Sequence, residues 1–343
     1  MVKTNETKPA SLYPITEDLS GKSILITGGT GSFGQRMVKT ILERYKPRRL
    51  IIFSRDELKQ YEMAQVYSPV DYPCLRYFIG DVRDRERLTM AVRGVDIVIH
   101  AAALKHVPAA EYNPTECIHT NIGGAENLVM ACVRSDVKRV IALSTDKAVN
   151  PINLYGASKL ASDKIFVAAN NLAGEGGVKF SVVRYGNVVG SRGSVVPLFR
   201  RLIAEGATSL PITDPRMTRF WITLQQGVDF VLSSLPAMVG GEVFVPKIPS
   251  MNMVDLARAM APKLRHEHVG IRPGEKLHEA MITEDHARDT VELDDRYIIK
   301  PSIQFKAARG ITGAAVPEGF RYASDTNPDF LDEERLHTLL NAD

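Results

Sequence analysis

From Ser23 onward, short apolar runs alternate with helix-length amphipathic stretches, and this rhythm constrains the fold more than any other feature of the chain. The runs are SILIT (23–27), RLIIFS (49–54), LRYFIG (75–80), VDIVIHAA (95–102), RVIALS (139–144) and FSVVRYG (180–186). Runs that are apolar on both faces are expected where helices cover both sides of a parallel sheet. Helical patterns fall between them at 34–45, 84–93, 115–135 and 155–171. Repeated β-α-β units with right-handed crossovers then give a doubly wound sheet, whose ligands lie at the carboxyl ends of its strands.

The 343 residues allow about two domains at roughly 150 residues each. After about residue 187 the rhythm gives way to Pro-punctuated loops and short helices, which suits a substrate-binding part better than a second sheet. The expected class is α/β, with a Rossmann-type doubly wound parallel sheet and a smaller α/β substrate-binding domain. The expected division is an N-terminal extension (1–20), the dinucleotide-binding domain (21–187), the substrate domain (188–300) and a tail (301–343). EVFVP (242–246) is expected to return to the sheet, and the tail reads as irregular, with RGITGAAVPEG a surface loop. A net charge of +3, from 43 basic and 40 acidic residues, argues against a nucleic-acid or acidic-membrane binder. Cys74, Cys117 and Cys132 form no C-x-x-C pair, so a disulfide framework is not expected and a reducing compartment fits. The polar start, MVKTNETKPASLYPITEDLSGK, does not read as a signal peptide, and no run reaches the ~18 apolar residues of a membrane span. A cytoplasmic protein without a membrane partner is expected.

SILIT runs directly into Gly28-Gly29-Thr30-Gly31-Ser32-Phe33-Gly34 and then a helix. Gly28, Gly31 and Gly34 have the spacing that allows a tight turn, close approach to a pyrophosphate and tight helix packing. A glycine triplet alone is weak evidence; the strand before it and the helix after it supply the context for a dinucleotide. The next strand ends in Ser54-Arg55, followed by Asp56-Glu57-Leu58-Lys59. A hydroxyl and a guanidinium at this place suit a 2′-phosphate, so NADP is the expected cofactor, although a one-residue shift would put Asp56 at the ribose. Asp81 and Val82 are expected near the adenine, and Ala101 begins a small-residue strand end where a dinucleotide can pass.

The fifth strand ends in Ser144-Thr145-Asp146-Lys147, and Tyr155 and Lys159 follow on one helix face. A lysine ammonium lowers a neighbouring tyrosine pKa, and the tyrosine then removes a hydroxyl proton as hydride leaves the same carbon. With 11 tyrosines in the chain the Y-x-x-x-K pattern alone decides little; its place behind a glycine loop decides more.

These motifs resemble those of the extended short-chain dehydrogenase/reductases. TGGTGSFG, FSRDELKQ, AAALKHVP, STDKAVNPINLYGASK, RFWIT and GIRPGEKLHE, spread over about 21 to 300, are similar to the inverting UDP-N-acetylglucosamine 4,6-dehydratases. The resemblance implies oxidation at sugar C4, proton loss at C5, departure of the C6 hydroxyl and hydride return at C6. The product would be UDP-2-acetamido-2,6-dideoxy-β-L-arabino-hex-4-ulose, the first intermediate toward pseudaminic acid for surface and flagellin glycosylation. It further implies Lys147 as C5 base, Asp146 as C6 acid, Thr145 as hydrogen-bond partner of the reacting hydroxyl, and a homo-oligomer, a hexamer. A base must be a neutral lysine, and Lys159 and an oxidised nicotinamide are the cations expected to lower its pKa. An Asp–Lys ion pair closing a loop is the plainer alternative. Asn121 resembles the superfamily's helix asparagine and reads equally as a packing residue.

For the substrate, UDP-N-acetylglucosamine, the family pattern marks Asn187, Val195 and Thr213, with Arg272 on phosphate and Glu275 on ribose hydroxyls. Lys105 is marked beside both cofactor and sugar, and Val188, Val189, Gly190, Ser191 and Arg192 as a segment over the nicotinamide. Glu275 and Lys276 read alternatively as solvated, and Thr213 as a turn cap. His266 and His268 lack acidic or Cys partners, so no metal is expected. Trp221 reads as a packing residue and KPRR (46–49) as a solvated loop. A UDP-sugar C4-epimerase or reductase of the same fold is the competing enzyme. A non-enzymatic nucleotide-binding regulator has no need of Thr145, Tyr155 and Lys159.

Overall fold

Strand β1 (Ser23–Thr27) lies inside a ten-stranded sheet, third from one edge, with every residue buried, as its Ile-Leu-Ile centre requires. The computed structural model describes residues 13–191, 193–302 and 310–341. On one side of β1 lie β2 (Arg49–Ser54) and β3 (Leu75–Ile79); on the other lie β4 (Ile97–His100), β5 (Arg139–Thr145) and β6 (Lys179–Tyr185), all parallel. The order 3-2-1-4-5-6 is the Rossmann arrangement, and the strand order reverses between β1 and β4. Strand Val243–Pro246 pairs parallel to β6, and Arg296–Ile299, Thr290–Glu292 and Ala314–Ala315 extend the sheet as antiparallel neighbours.

Helices Ser32–Arg44, Arg85–Ala91 and Leu154–Ala173 fall on three of the four expected stretches, Glu57–Val66 and Val107–Tyr112 are additional, and the fourth stretch differs. The stretch 115–135 is divided into helix Pro114–Ile118, a π-turn His119–Gly123 and helix Gly124–Val133. The widened turn carries Asn121, whose amide donates to Leu104 O (2.9 Å) and Ser158 Oγ (2.9 Å) while its Oδ1 accepts from Leu104 N (2.8 Å). Asn121 therefore ties the loop after β4 to the helix that bears Tyr155, a common use of a π-turn.

A second apolar cluster, including Val196, Phe199, Leu210, Trp221, Met251 and Leu256, sits beside the main core. Small sheets formed by 187–188, 218–222 and 250–252, and by 209–212 and 265–268, carry it.

Both ends of the described chain are more ordered than the sequence reading allows. Tyr13, in the extension, is 2% exposed and meets Phe230 edge-on at 4.9 Å, and Glu17 pairs with Arg139. The tail is not simply irregular. Strand Tyr322–Ala323 pairs with Ala280–Ile282, and helix Glu333–Asn341 puts Leu336, Leu339 and Leu340 into the second cluster. Leucines at that spacing form an amphipathic face that the alternation of the first half does not advertise.

Candidate active site

The carboxyl ends of the parallel strands open into a cleft of about 1270 Å³. One wall is the glycine loop: Gly28, Thr30, Gly31, Ser32, Phe33 and Gly34 all line it, and helix Ser32–Arg44 starts there with no side-chain cap. Gly28 has φ +66°, and a Cβ there would lie 2.8 Å from Ala102 N, so only glycine lets the loop lie this close to the end of β4. Ser54, Arg55, Asp56, Lys59, Asp81, Val82 and Ala101 continue the wall. This shallow, small-residue cradle against a helix N-terminus fits a dinucleotide pyrophosphate.

The end of β2 does not present the phosphate-binding pair expected. The Ser54 hydroxyl is buried and shares a hydrogen bond with Thr30 Oγ1 (2.8 Å). The Arg55 guanidinium lies 3.8 Å from the Asp81 carboxylate. Asp56 caps the following helix through Lys59 N (3.0 Å) and pairs with Lys59 Nζ. Two carboxylates thus flank this end of the cleft, and Glu57 and Leu58 are exposed and outside its lining.

At the end of β5, Thr145, Lys147, Tyr155 and Lys159 converge on the cleft. Asn153 caps the helix Leu154–Ala173 by accepting from Gly156 N (2.7 Å) and donates to Gly274 O (2.8 Å), which fixes the turn before Tyr155. A Cβ on Gly156 would fall 2.1 Å from Lys147 O, so this glycine lets the helix and the Lys147 turn touch. Asp146 departs from its expected place. It is wholly buried and lies behind the cleft wall; Oδ1 accepts from Thr145 Oγ1 (3.0 Å) and Lys147 Nζ (3.0 Å), and Oδ2 has no hydrogen-bond partner.

Charge states also depart from expectation. Burial pushes Lys147 down, but Asp146 and Glu279 outweigh it and hold the amine above its ordinary value. Burial lifts Tyr155 to about 12, against the pull of Lys147 and the Thr145 hydroxyl; the opposing cation is Lys147 rather than Lys159. Lys159, 4% exposed, is lowered by burial, with Asp163 acting against it.

On the sugar side, Asn187, Val188, Ser191, Val195, Thr213, Arg272, Glu275 and Lys105 all line the cleft. Asn187 Oδ1 accepts from Lys147 Nζ (3.2 Å), which sets it beside that amine. Arg272 and Glu275 lie 3.7 Å apart at the rim. Val189, 1% exposed, belongs to the second apolar cluster, Gly190 is outside the cleft lining, and Arg192 lies outside the described residues. Lys276 is not solvated: its Nζ donates to Val149 O (2.5 Å). Trp221 is 1% exposed and packs in the second cluster. Sequence reasoning missed Glu279 and Arg219, which both line the cleft. Glu279 closes the GIRPGEKLHE segment, but no spacing rule links it to Lys147.

A family model described as polysaccharide biosynthesis protein matches residues 24–301. The inverting UDP-N-acetylglucosamine 4,6-dehydratase of Campylobacter jejuni serotype O:2 is 61% identical, covering 93% of this chain and 97% of its own length. A UDP-glucose 4-epimerase of Rickettsia akari is 42% identical over 80% of each chain. Among solved structures, Pen from Bacillus thuringiensis has a TM-score of 0.86 and 33% identity, covering 95% of this chain and 100% of its own. DesIV from Streptomyces venezuelae, a dTDP-glucose 4,6-dehydratase, shares the fold at a TM-score of 0.64 and 24% identity, covering 74% of this chain and 86% of its own. DesIV is described with NAD, as are three further proteins of this fold. The expectation of NADP is thereby corrected: the Ser54 hydroxyl is bonded to Thr30, and the carboxylates Asp56 and Asp81 at this end of the cleft oppose a 2′-phosphate. Near-complete overlap at this identity, with the lysine-bearing turn after β5 in place, makes the chain a member of the inverting UDP-N-acetylglucosamine 4,6-dehydratase family.

Proposed function

We propose that the protein converts UDP-N-acetylglucosamine to its 4-keto-6-deoxy derivative with inversion at C5, using tightly held NAD, as the first step toward pseudaminic acid. The observation that carries this reading is a second acid–base pair, Asp146 and Lys147, beside Tyr155 and Thr145. An epimerase needs the tyrosine but has no elimination for the pair to serve. The glycine loop at Gly28, Gly31 and Gly34 would hold NAD, which would supply a hydride acceptor for C4 and the hydride returned at C6. Tyr155, as the phenolate in the reacting state, removes the C4 hydroxyl proton, with Thr145 orienting that hydroxyl and Lys159 behind it. Lys147, neutral in the reacting state, takes the C5 proton, which the adjacent C4 ketone acidifies. Asp146, having taken the Lys147 proton across their 3.0 Å contact, supplies it for the departing C6 hydroxyl. Because it lies behind the wall, Thr145 relays that proton: its Oγ1 is 3.0 Å from Asp146 Oδ1 and itself lines the cleft. Arg272 is assigned to the diphosphate and Glu275 to the ribose, which separates their rim pair on binding.

The same reading divides the chain into a nucleotide part (21–187), a sugar part (188–300) and flanking segments, and makes it a homo-oligomer, a hexamer, in the cytoplasm. The free thiols of Cys74, Cys117 and Cys132 support that compartment, and no described helix is long and apolar enough to cross a membrane. Incubation with UDP-N-acetylglucosamine and no added dinucleotide tests the activity. Loss of one water from the substrate mass is expected; an isomer of equal mass would identify an epimerase, and unchanged substrate would refute both.

A further inference from the structure

Lys147 Nζ is surrounded by three oxygens from three separate parts of the chain. They are Asp146 Oδ1 at 3.0 Å, Asn187 Oδ1 at 3.2 Å and Glu279 Oε1 at 3.4 Å. The third is the least expected, because Glu279 is 2% exposed and comes from the segment that follows the nucleotide-side loop Arg272–Glu275. A carboxylate is rarely buried to this degree unless it is paired. Its second oxygen, Oε2, is buried, lies 3.4 Å from Lys276 Nζ and makes no hydrogen bond.

The backbone holds Glu279 in place from the far end of the chain. Glu279 N donates to Ser324 Oγ (2.9 Å) and Ser324 N donates to Glu279 O (2.8 Å), just after the strand that pairs with Ala280–Ile282. Ser324 Oγ also meets Thr218 Oγ1 (2.8 Å). Arg219 grips the same segment through Lys276 O (2.8 Å) and Leu277 O (3.0 Å). So much fixation around one carboxylate that faces a catalytic amine is more than a surface ion pair needs.

We propose that Glu279 is the positioning residue that aims the Lys147 amine into the cleft and sets the pH at which it becomes a free base. This rests on the reading of Lys147 as the C5 base. The charged and titratable groups around Lys147 are Asp146 on its own turn, Glu279 from the segment before Ala280–Ile282, Arg219 from Thr218–Ile222 and Tyr155 from the catalytic helix. Lys276 stands behind Glu279 and draws on the same carboxylate. Removing the negative charge of Glu279 favours the neutral amine; removing the cation of Lys276 favours the ammonium.

The test is the pH dependence of Lys147 acetylation by a pulse of acetic anhydride, read by peptide mass spectrometry on the full-length protein. Glu279→Gln is expected to move the midpoint down by about one pH unit or more, the scale of one opposite charge at this range. Lys276→Met is expected to move it up. A folded Glu279→Gln variant with an unmoved midpoint would overturn the proposal, and so would an unmoved Lys276→Met should the first variant fail to fold. The acid limb of the turnover profile is expected to shift in the same directions. A merely structural glutamate would lower activity without moving either midpoint. Labelling needs no turnover, so failure of the wild type to dehydrate UDP-N-acetylglucosamine would refute the proposed activity and leave the labelling result readable.

Discussion

Lys147 Nζ lies 3.0 Å from Asp146 Oδ1, yet of the two side chains only the lysine reaches the cleft wall. On the proposed roles, the acid lies behind the base. Lys147→Ala should abolish entry of solvent deuterium at C5 and lower turnover by about 10²–10⁴-fold, the usual contribution of a positioned base. NAD should remain bound, because the glycine loop is untouched. The variant also leaves Asp146 buried without its cation, and Glu279 with Lys276 alone, so a stability loss of about 3–5 kcal/mol should accompany it. Retained exchange at C5, followed by NMR, would assign the base elsewhere.

Gly156 is the contact between the catalytic helix and the Lys147 turn. A methyl group placed 2.1 Å from Lys147 O must push the two apart. Gly156→Ala should cost about 1–3 kcal/mol in denaturant unfolding and reduce kcat far more than it reduces NAD occupancy. Unchanged kcat would show that the turn has slack.

The adenosine end of the cleft predicts the dinucleotide recovered from the purified protein. Acid extraction followed by chromatography should yield NAD. Arg55 is half exposed and turned toward Asp81, so Arg55→Ala should change NAD affinity by less than about fivefold, in line with an exposed ion pair. A larger loss would place the guanidinium on the cofactor.

Acid stability has a specific titrating group beneath the site. His100 is 1% exposed at the end of β4, with Nδ1 2.8 Å from Thr27 Oγ1. Burial, and then Lys159, depress its pKa from 6.5 to about 3. The unfolded chain thus takes up a proton near 6.5 that the folded chain refuses until about 3. His100 is neutral in both states above that window and costs nothing there. As pH falls through the window, stability should decline by up to about 1.4 kcal/mol per unit. His100→Gln should flatten this slope in urea titrations; an identical slope would assign the acid sensitivity to other groups.

Much of the fold was legible because β1 and its neighbours are buried on both faces, so their sequences are unbroken apolar runs with glycine or polar punctuation. β1 and β2 fall on SILIT and RLIIFS residue for residue. The antiparallel extension of the sheet and the docking of Leu336, Leu339 and Leu340 were not legible, since each depends on partners far away in sequence. In the site, Tyr155, Lys159 and Thr145 could be placed because local helix and strand geometry brings them together. The buried position of Asp146, the Arg55–Asp81 pair and the approach of Glu279 to Lys147 are tertiary facts. A residue's neighbours, more than its type, decide whether a lysine is neutral or an arginine is available for a phosphate.

NMR of the product formed in D₂O reads out elimination and inversion at C5 together. The expected product is a 4-keto-6-deoxy sugar nucleotide with one deuterium at C5 and the L-arabino configuration. A C4 epimer that retains the C5 proton and the C6 hydroxyl, or a 4-keto-6-deoxy product with C5 uninverted, would contradict it.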